Sequence, residues 1–173
     1  NVKPATDNIW QEVLNAGLAP ADPSERDLVL GNIKTPQRMV AQFALAGSLR
    51  GLVIGTDHAA EAVMGFFTKF GDGAADLLPL AGLNKRRVRA IASYLGAPAK
   101  LIGKVPTADL DDGAPLRPDE DVYGVTYDQI DDFLEGKAVT QSVAGTIASA
   151  YRATAHKRTL PVAHSSRSGR QER

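Results

Sequence analysis

Gly51-Leu52-Val53-Ile54-Gly55-Thr56-Asp57-His58-Ala59-Ala60-Glu61 is the stretch on which the fold turns. A short apolar run between two glycines is the pattern of a strand buried on both faces. Thr56 and Asp57 then supply oxygens able to cap a helix whose apolar positions are Ala60, Val63, Met64 and Phe67. Strand, tight turn and helix in immediate succession predict an α/β protein built on a parallel sheet.

Working outward, the amino-terminal side reads as helical. Ile9, Val13 and Leu14 share one face, and the turn-rich Pro20-Ala21-Asp22-Pro23 follows. Met39, Val40, Phe43 and Ala46 mark another helix ending at Gly47. Pro36 fits that helix only in its first turn, so the helix is predicted to begin between Asn32 and Thr35. On the carboxyl side Asn84 caps the clearest helix, with Val88, Ile91, Ala92 and Leu95 at i, i+3, i+4 and i+7 and Gly96 as its stop. Lys100 to Lys104 is expected to form a short strand. From Val105 to Val125 periodicity is lost among Pro106, Pro115 and Pro118 and six acids. Such a segment is either a mobile lid or a solvated acidic linker. Thr126 and Gln129 form a capping box for a helix closed by Gly136, and Val143, Ile147 and Tyr151 carry a last helical face.

Composition sets the bounds. The chain has 173 residues, 43% hydrophobic and 23% charged, enough for one domain with a core. Lys+Arg and Asp+Glu each number 20, so no global field favours nucleic acid or a membrane surface. The absence of cysteine excludes disulfides, thiolate metal sites and a cysteine nucleophile in these residues. His58, His156 and His164 lack metal-ligand spacing, so no zinc site is expected. No stretch is apolar enough to span a bilayer and no signal peptide opens the chain, which suggests a cytoplasmic protein. The missing initiator methionine hints at residues upstream.

Two places suit a ligand at the carboxyl end of a strand. At the first, Thr56 could donate to a phosphate or a base edge while Glu61, a turn later, reaches a divalent cation. Spacing alone favours a plainer account, in which Thr56 and Asp57 cap a helix and Glu61 is solvated. At the second, Lys85-Arg86-Arg87 puts three cations on a first helical turn, against the dipole. A phosphate there would relieve them; a solvated basic turn or a pairing with the acidic loop would serve as well.

The run from Gly55 to Val63, continued by Gly65-Phe66-Phe67-Thr68-Lys69-Phe70-Gly71-Asp72-Gly73, resembles ammonia-dependent NAD synthetases. So do Asp76-Leu77-Leu78-Pro79-Leu80, Leu83-Asn84-Lys85-Arg86, Pro106-Thr107-Ala108-Asp109-Leu110, Tyr127-Asp128-Gln129-Ile130-Asp131-Asp132 and His156-Lys157-Arg158. Seven motifs in order, from Gly31 to Arg158, make the resemblance specific. It implies a Rossmann-like parallel sheet flanked by helices (the adenine-nucleotide α-hydrolase arrangement), incomplete at the amino end. It also implies a homodimer that adenylates deamido-NAD with ATP and lets ammonia displace AMP. By the same resemblance Thr56, Lys85 and Thr107 would meet ATP, Lys85 and Thr107 serving catalysis. Glu61 would bind magnesium, and Lys69, Asp76, His156 and Lys157 would hold deamido-NAD.

Two departures qualify this expectation. The family's Ser-Gly-Gly-x-Asp-Ser loop, which grips the ATP phosphates, would lie upstream of Asn1, so the chain alone is expected to be inactive. Where the family has Lys-Ala-Arg-x-Arg-Met, this sequence reads Lys34-Thr35-Pro36-Gln37-Arg38-Met39, leaving Arg38 as the remaining arginine for deamido-NAD. Residues 1–164 then form the carboxy-terminal portion of a synthetase domain and 165–173 a mobile tail. The alternatives are a non-catalytic remnant that dimerises or binds dinucleotide, and a related ATP pyrophosphatase. A glutaminase domain would need a cysteine that these residues lack.

Overall fold

The computed structural model describes residues 1–108, 116–159 and 161. Eight α-helices appear among them: α1 (Lys3–Asn15), α2 (Pro23–Leu49), α3 (Ala59–Met64), α4 (Lys85–Tyr94), α5 (Ala99–Ile102), α6 (Asp119–Tyr123), α7 (Tyr127–Leu134) and α8 (Gln141–Ala153). A 3-10 turn, Ala155–Arg158, follows α8.

The core is the meeting of α3, α7 and α8 with the end of α6. Ala60, Ile130 and Ile147 are fully enclosed there, beside Tyr123, Val125, Tyr127 and Val143. Capping explains why these short helices begin where they do. Thr126 accepts from the Gln129 amide and Gln129 returns the bond to Thr126, so the expected capping box forms. Asn84 caps α4 through the Arg87 amide, also as expected. At α3, however, the cap is His58 rather than Thr56 or Asp57. Its ring accepts from the Glu61 amide while the Glu61 carboxylate takes the His58 amide.

Four expectations differ from what the described residues show. First, no multi-residue strand occurs among the described residues. Ile54 and Leu77 form a single parallel bridge, supported by Gly55 N–H to Leu77 O at 2.8 Å and Asp76 N–H to Val53 O at 2.9 Å. Val53 and Gly55 are buried, but Leu52 and Ile54 remain exposed because no second layer covers them. The parallel sheet inferred from this stretch is therefore reduced to one bridge. Second, residues 100–104 are not a strand: Pro98 opens α5, its carbonyl accepting from Leu101 and Ile102.

Third, Pro36 lies deep inside α2 rather than in its first turn. The start is set far upstream by Asp22, whose carboxylate accepts from Ser24 and Glu25, with Pro23 in the first turn. Pro36 therefore removes an interior bond to Asn32. Beside it, Thr35 is buried and donates its hydroxyl to Gly31 O at 3.0 Å. Thr35 also meets Gly71, where an added Cβ would fall 2.4 Å from Thr35 Cγ2. Fourth, the described residues of the segment from Val105 to Val125 carry local structure. Thr107 pairs with Pro118 in an antiparallel bridge, α6 follows, and Tyr123 and Val125 enter the core. Apolar anchors at its end outweigh the acidic composition. The rest of the expected lid, residues 109–115, and the tail 165–173 lie outside the described residues, as does His164.

Candidate active site

Two cavities meet beside the amino ends of α3 and α4. The smaller, about 320 Å³, is bounded by Lys85, Val88 and Arg89 of α4 and by Leu101, Val105 and Pro106. The larger, about 900 Å³, is bounded on one side by Arg38 and Met39 of α2 and on the other by Phe67, Thr68, Asp72 and Lys157. Glu61, Thr107 and Asp119 line both. Three residues remote in sequence thus form a common threshold.

The threshold has an unusual electrostatic character. Burial, the largest cause, raises the Glu61 carboxyl to about 7, against the pull of the His58 amide and Lys85. His58 is enclosed, and burial followed by the Lys85 charge lowers it to about 4, so its ring is neutral at pH 7. Its Nε2 lies 3.3 Å from Glu61 Oε1 and 3.1 Å from Lys85 Nζ. Because Nδ1 accepts the Glu61 amide, the one proton of the neutral ring sits on Nε2 and is directed at the Glu61 carboxylate. Lys85 Nζ also sits 4.9 Å from the centre of the Tyr127 ring, and burial lowers its pKa. Asp57, nearby in sequence, is raised to about 6 by burial and by Asp72.

Beneath the threshold, Asp131 fixes the start of α4. Its buried carboxylate accepts the Lys85 amide at 3.1 Å and the Arg86 amide at 2.7 Å. Arg86 turns away from the cavities and pairs with Asp132 and Glu135 at 3.0 and 3.1 Å. Of the three basic residues, only Lys85 lines a cavity, with its charge half-buried. Asp119 is held by Tyr127, whose hydroxyl donates to Oδ2 at 2.8 Å, while Tyr123 and Tyr127 oxygens lie 3.3 Å apart.

Of the residues singled out from sequence, Glu61, Lys85 and Thr107 converge at the smaller cavity, and Arg38 and Lys157 line the larger. Lys157 is already engaged, donating to Gly65 O and Phe67 O at 2.8 and 2.9 Å. Thr56, Lys69, Asp76 and His156 line neither cavity. Lys69 donates to the carbonyls of His156 and Thr159, and Asp76 accepts the Val53 amide at 2.8 Å. His58, Asp119 and Asp131 escaped the sequence reading. Asp131 lay within a recognised motif, and the Glu at position 61 three residues after His58 was the visible sign of a capping pair; Asp119 gave no such sign.

On a helix-rich scaffold, a cation and a half-buried carboxylate thus meet at the joint of two cavities. The sequence matches the NAD synthase family over residues 4–161, and the chain belongs to that family. It is 61% identical over 163 residues to the NH(3)-dependent NAD(+) synthetase of Streptomyces coelicolor, covering 94% of this chain and 59% of that protein. To the protein of the same name in Burkholderia lata it is 60% identical, covering 93% of this chain and 57% of the other. Among solved structures, NMN synthetase from Francisella tularensis superposes with a TM-score of 0.81 at 38% identity, over 94% of this chain and 64% of that one. NAD+ synthetase from Burkholderia pseudomallei gives 0.73 at 60% identity, over 93% and 59%. The chain thus spans somewhat under three-fifths of the curated relatives it matches.

Proposed function

We propose that these residues belong to an ammonia-dependent NAD synthetase, with ATP in the smaller cavity and deamido-NAD in the larger. The observation that carries this reading is the shared threshold of Glu61, Thr107 and Asp119, where two ligands would touch. In the first step an oxygen of the nicotinate carboxylate attacks the α-phosphorus of ATP, and the bond to pyrophosphate breaks. In the second, the ammonia nitrogen attacks the acyl carbon, the C–O bond to AMP breaks, and a proton passes from nitrogen to solvent.

Lys85 suits the first step because burial makes its charge costly without an anion, and a polyphosphate is one. Thr107 offers a hydroxyl at the same mouth. Arg38 and Lys157 supply cationic edges to the larger cavity; Lys69, Asp76, Thr56 and His156 would contribute only with a rearrangement of the backbone bonds they now serve or border. A magnesium ion fits Glu61, whose half-buried carboxylate is held near neutrality by burial and would be kept ionised by a cation. Among the described residues no three acidic or histidine side chains converge, so such an ion would take phosphate oxygens and water besides Glu61. Its chemistry would be to screen the phosphate charge.

In the complete protein we expect a Rossmann-like sheet to extend the Ile54–Leu77 bridge and a homodimer to form. Residues 1–164 would be the carboxy-terminal portion of that domain. No helix among the described residues is long and apolar enough to cross a membrane; a cytoplasmic location is part of the same proposal. Equilibrium dialysis with ATP, deamido-NAD and the corresponding mononucleotide tests the assignment. Lys85→Ala should weaken ATP and spare deamido-NAD, with Arg38→Ala doing the reverse. No binding of either ligand at millimolar concentration would refute the reading, and preference for the mononucleotide would move it toward the NMN synthetase.

A further inference from the structure

His58 is 3% exposed, and its ring is fixed from three sides. Nδ1 accepts the Glu61 amide at 3.4 Å, the ring meets Tyr127 edge-on with centroids 6.0 Å apart, and Nε2 lies 3.3 Å from Glu61 Oε1. A backbone amide can only donate, so Nδ1 is bare and the single ring proton sits on Nε2. Glu61 is thereby gripped at both oxygens, Oε1 by Nε2 and Oε2 by the His58 amide at 3.1 Å. On its other side the same Nε2 lies 3.1 Å from Lys85 Nζ. A protonated ring nitrogen has no lone pair to offer an ammonium, so this contact separates two donors and joins nothing.

Glu61 and Lys85 line the smaller cavity with opposite charge, yet no ion pair joins them among the described residues. Opposite charges drawn out of water attract strongly, so two such groups on one wall close on each other unless something stands between. The imidazole edge stands there. We infer that His58 is a positioning residue that acts as a spacer: its Nε2–H edge keeps the Glu61 carboxylate and the Lys85 ammonium from pairing, leaving one to a divalent cation and the other to a polyphosphate. The inference rests on the proposed binding of ATP and deepens it. Capping α3 alone does not call for this side chain. A cap needs one acceptor for the Glu61 amide, which a shorter asparagine or serine supplies. The cap uses Nδ1, and the reach of Nε2 to Lys85 is left over. Beyond the spacer, Lys85 Nζ meets only the face of Tyr127 at 4.9 Å, which leaves its charge uncancelled.

Two substitutions separate the cap from the spacer. His58→Asn keeps an acceptor for the Glu61 amide but is too short to reach Lys85. His58→Gln carries an N–H donor to the place of Nε2 and gives up the cap. Acylation of each lysine by an N-hydroxysuccinimide ester, read by peptide mass spectrometry on the nucleotide-free chain, reports whether its amine is paired. Lys85 should slow about tenfold in His58→Asn and stay within about twofold of the parent in His58→Gln, because a carboxylate at contact distance raises an amine pKa by about a unit or more. Lys137, already paired with Glu135 at 2.6 Å, is the unmoved reference. Unfolding would speed the lysines, the opposite sign. An unslowed Lys85 in folded His58→Asn would overturn the inference. Should that variant fail to fold, the imidazole nitrogen resonances of the unaltered chain decide. They should show Nε2 protonated and Nδ1 bare; the reverse tautomer would make Nε2 a tether for Lys85 and overturn the spacer. Magnesium-ATP affinity should fall about tenfold or more in His58→Asn, and an unchanged affinity would also overturn the inference. Failure of the parent to bind ATP would count against the nucleotide reading alone, since labelling and tautomer are read without nucleotide.

Discussion

The helices around Ile147 and the α1–α2 pair use similar apolar residues to opposite ends. Ala60, Ile130 and Ile147 are wholly enclosed by one another's helices, whereas Leu28, Leu45 and Leu49 of α2 are 66%, 64% and 78% exposed. In α1 and α2 the buried residues are Thr6, Gly31 and Thr35, none of them a large hydrophobe. The first region spends its apolar surface inside the chain and is stabilised by it. The second holds its surface in reserve, and its helices rest on capping, on each other and on the Thr35–Gly71 contact.

That contrast can be broken by substitution. Ile147→Ala should cost about 2–5 kcal/mol in urea unfolding, because the removed atoms leave a cavity among Ala60, Ile130 and Val143. Leu45→Ala should cost less than about 0.5 kcal/mol. Equal losses at the two positions would mean that the arm is as self-sufficient as the core.

A second test concerns the threshold. Glu61 rises from 4.5 to about 7 in the folded chain, so the folded state binds its proton more tightly. Its contribution to stability is then complete below about pH 4.5 and lost as pH rises through 7. Asp57, raised to about 6, acts in the same sense. His58, lowered from 6.5 to about 4, acts oppositely, its contribution being lost as pH falls through 4. In metal-free buffer Glu61→Gln should match the parent below about pH 4.5 and exceed it by roughly 3 kcal/mol above pH 7. A constant difference across that range would show that burial at Glu61 is not felt.

Pro36→Ala should restore the missing α2 bond and stabilise the arm by about 1–3 kcal/mol, read as slower amide exchange around Asn32 to Arg38. The smallest effect belongs to Arg86, which is partly exposed. Arg86→Ala should lower Tm only slightly, and the loss should shrink in high salt.

Local signals made part of this legible. The caps Asn84 and Thr126 and the 3.6-residue rhythms of α4 and α8 are decided by neighbouring residues, and they appear in the structure as the sequence predicts. Glu61, Lys85 and Thr107 were found through motifs, but their convergence on one threshold depends on packing between α3, α4 and the Thr107–Pro118 bridge. The failures are contests between local preference and tertiary context. Pro36 was read as a start because proline disfavours helix interiors, yet Asp22 and a long helix prevail. Leu52 and Ile54 have the pattern of a buried strand without a layer to bury them. Asp119 is one acid among six in a proline-rich run, and the Tyr127 hydroxyl that fixes it is a contact that no spacing announces.

Lys157 and Arg158 carry a consequence for the making of the protein. Lys157 bonds to Gly65 O across 92 residues and Arg158 to Ala62 O across 96, and Arg158 also reaches the Tyr151 carbonyl. Ribosomal synthesis runs from the amino end, so the loop after α3 emerges long before its donors. Until the last helix and its 3-10 turn have left the ribosome, carbonyls beside the threshold have only water to satisfy them. A released chain ending at Ala153 should hold α4 and α7 in reach of each other yet leave residues 62–67 open to protease.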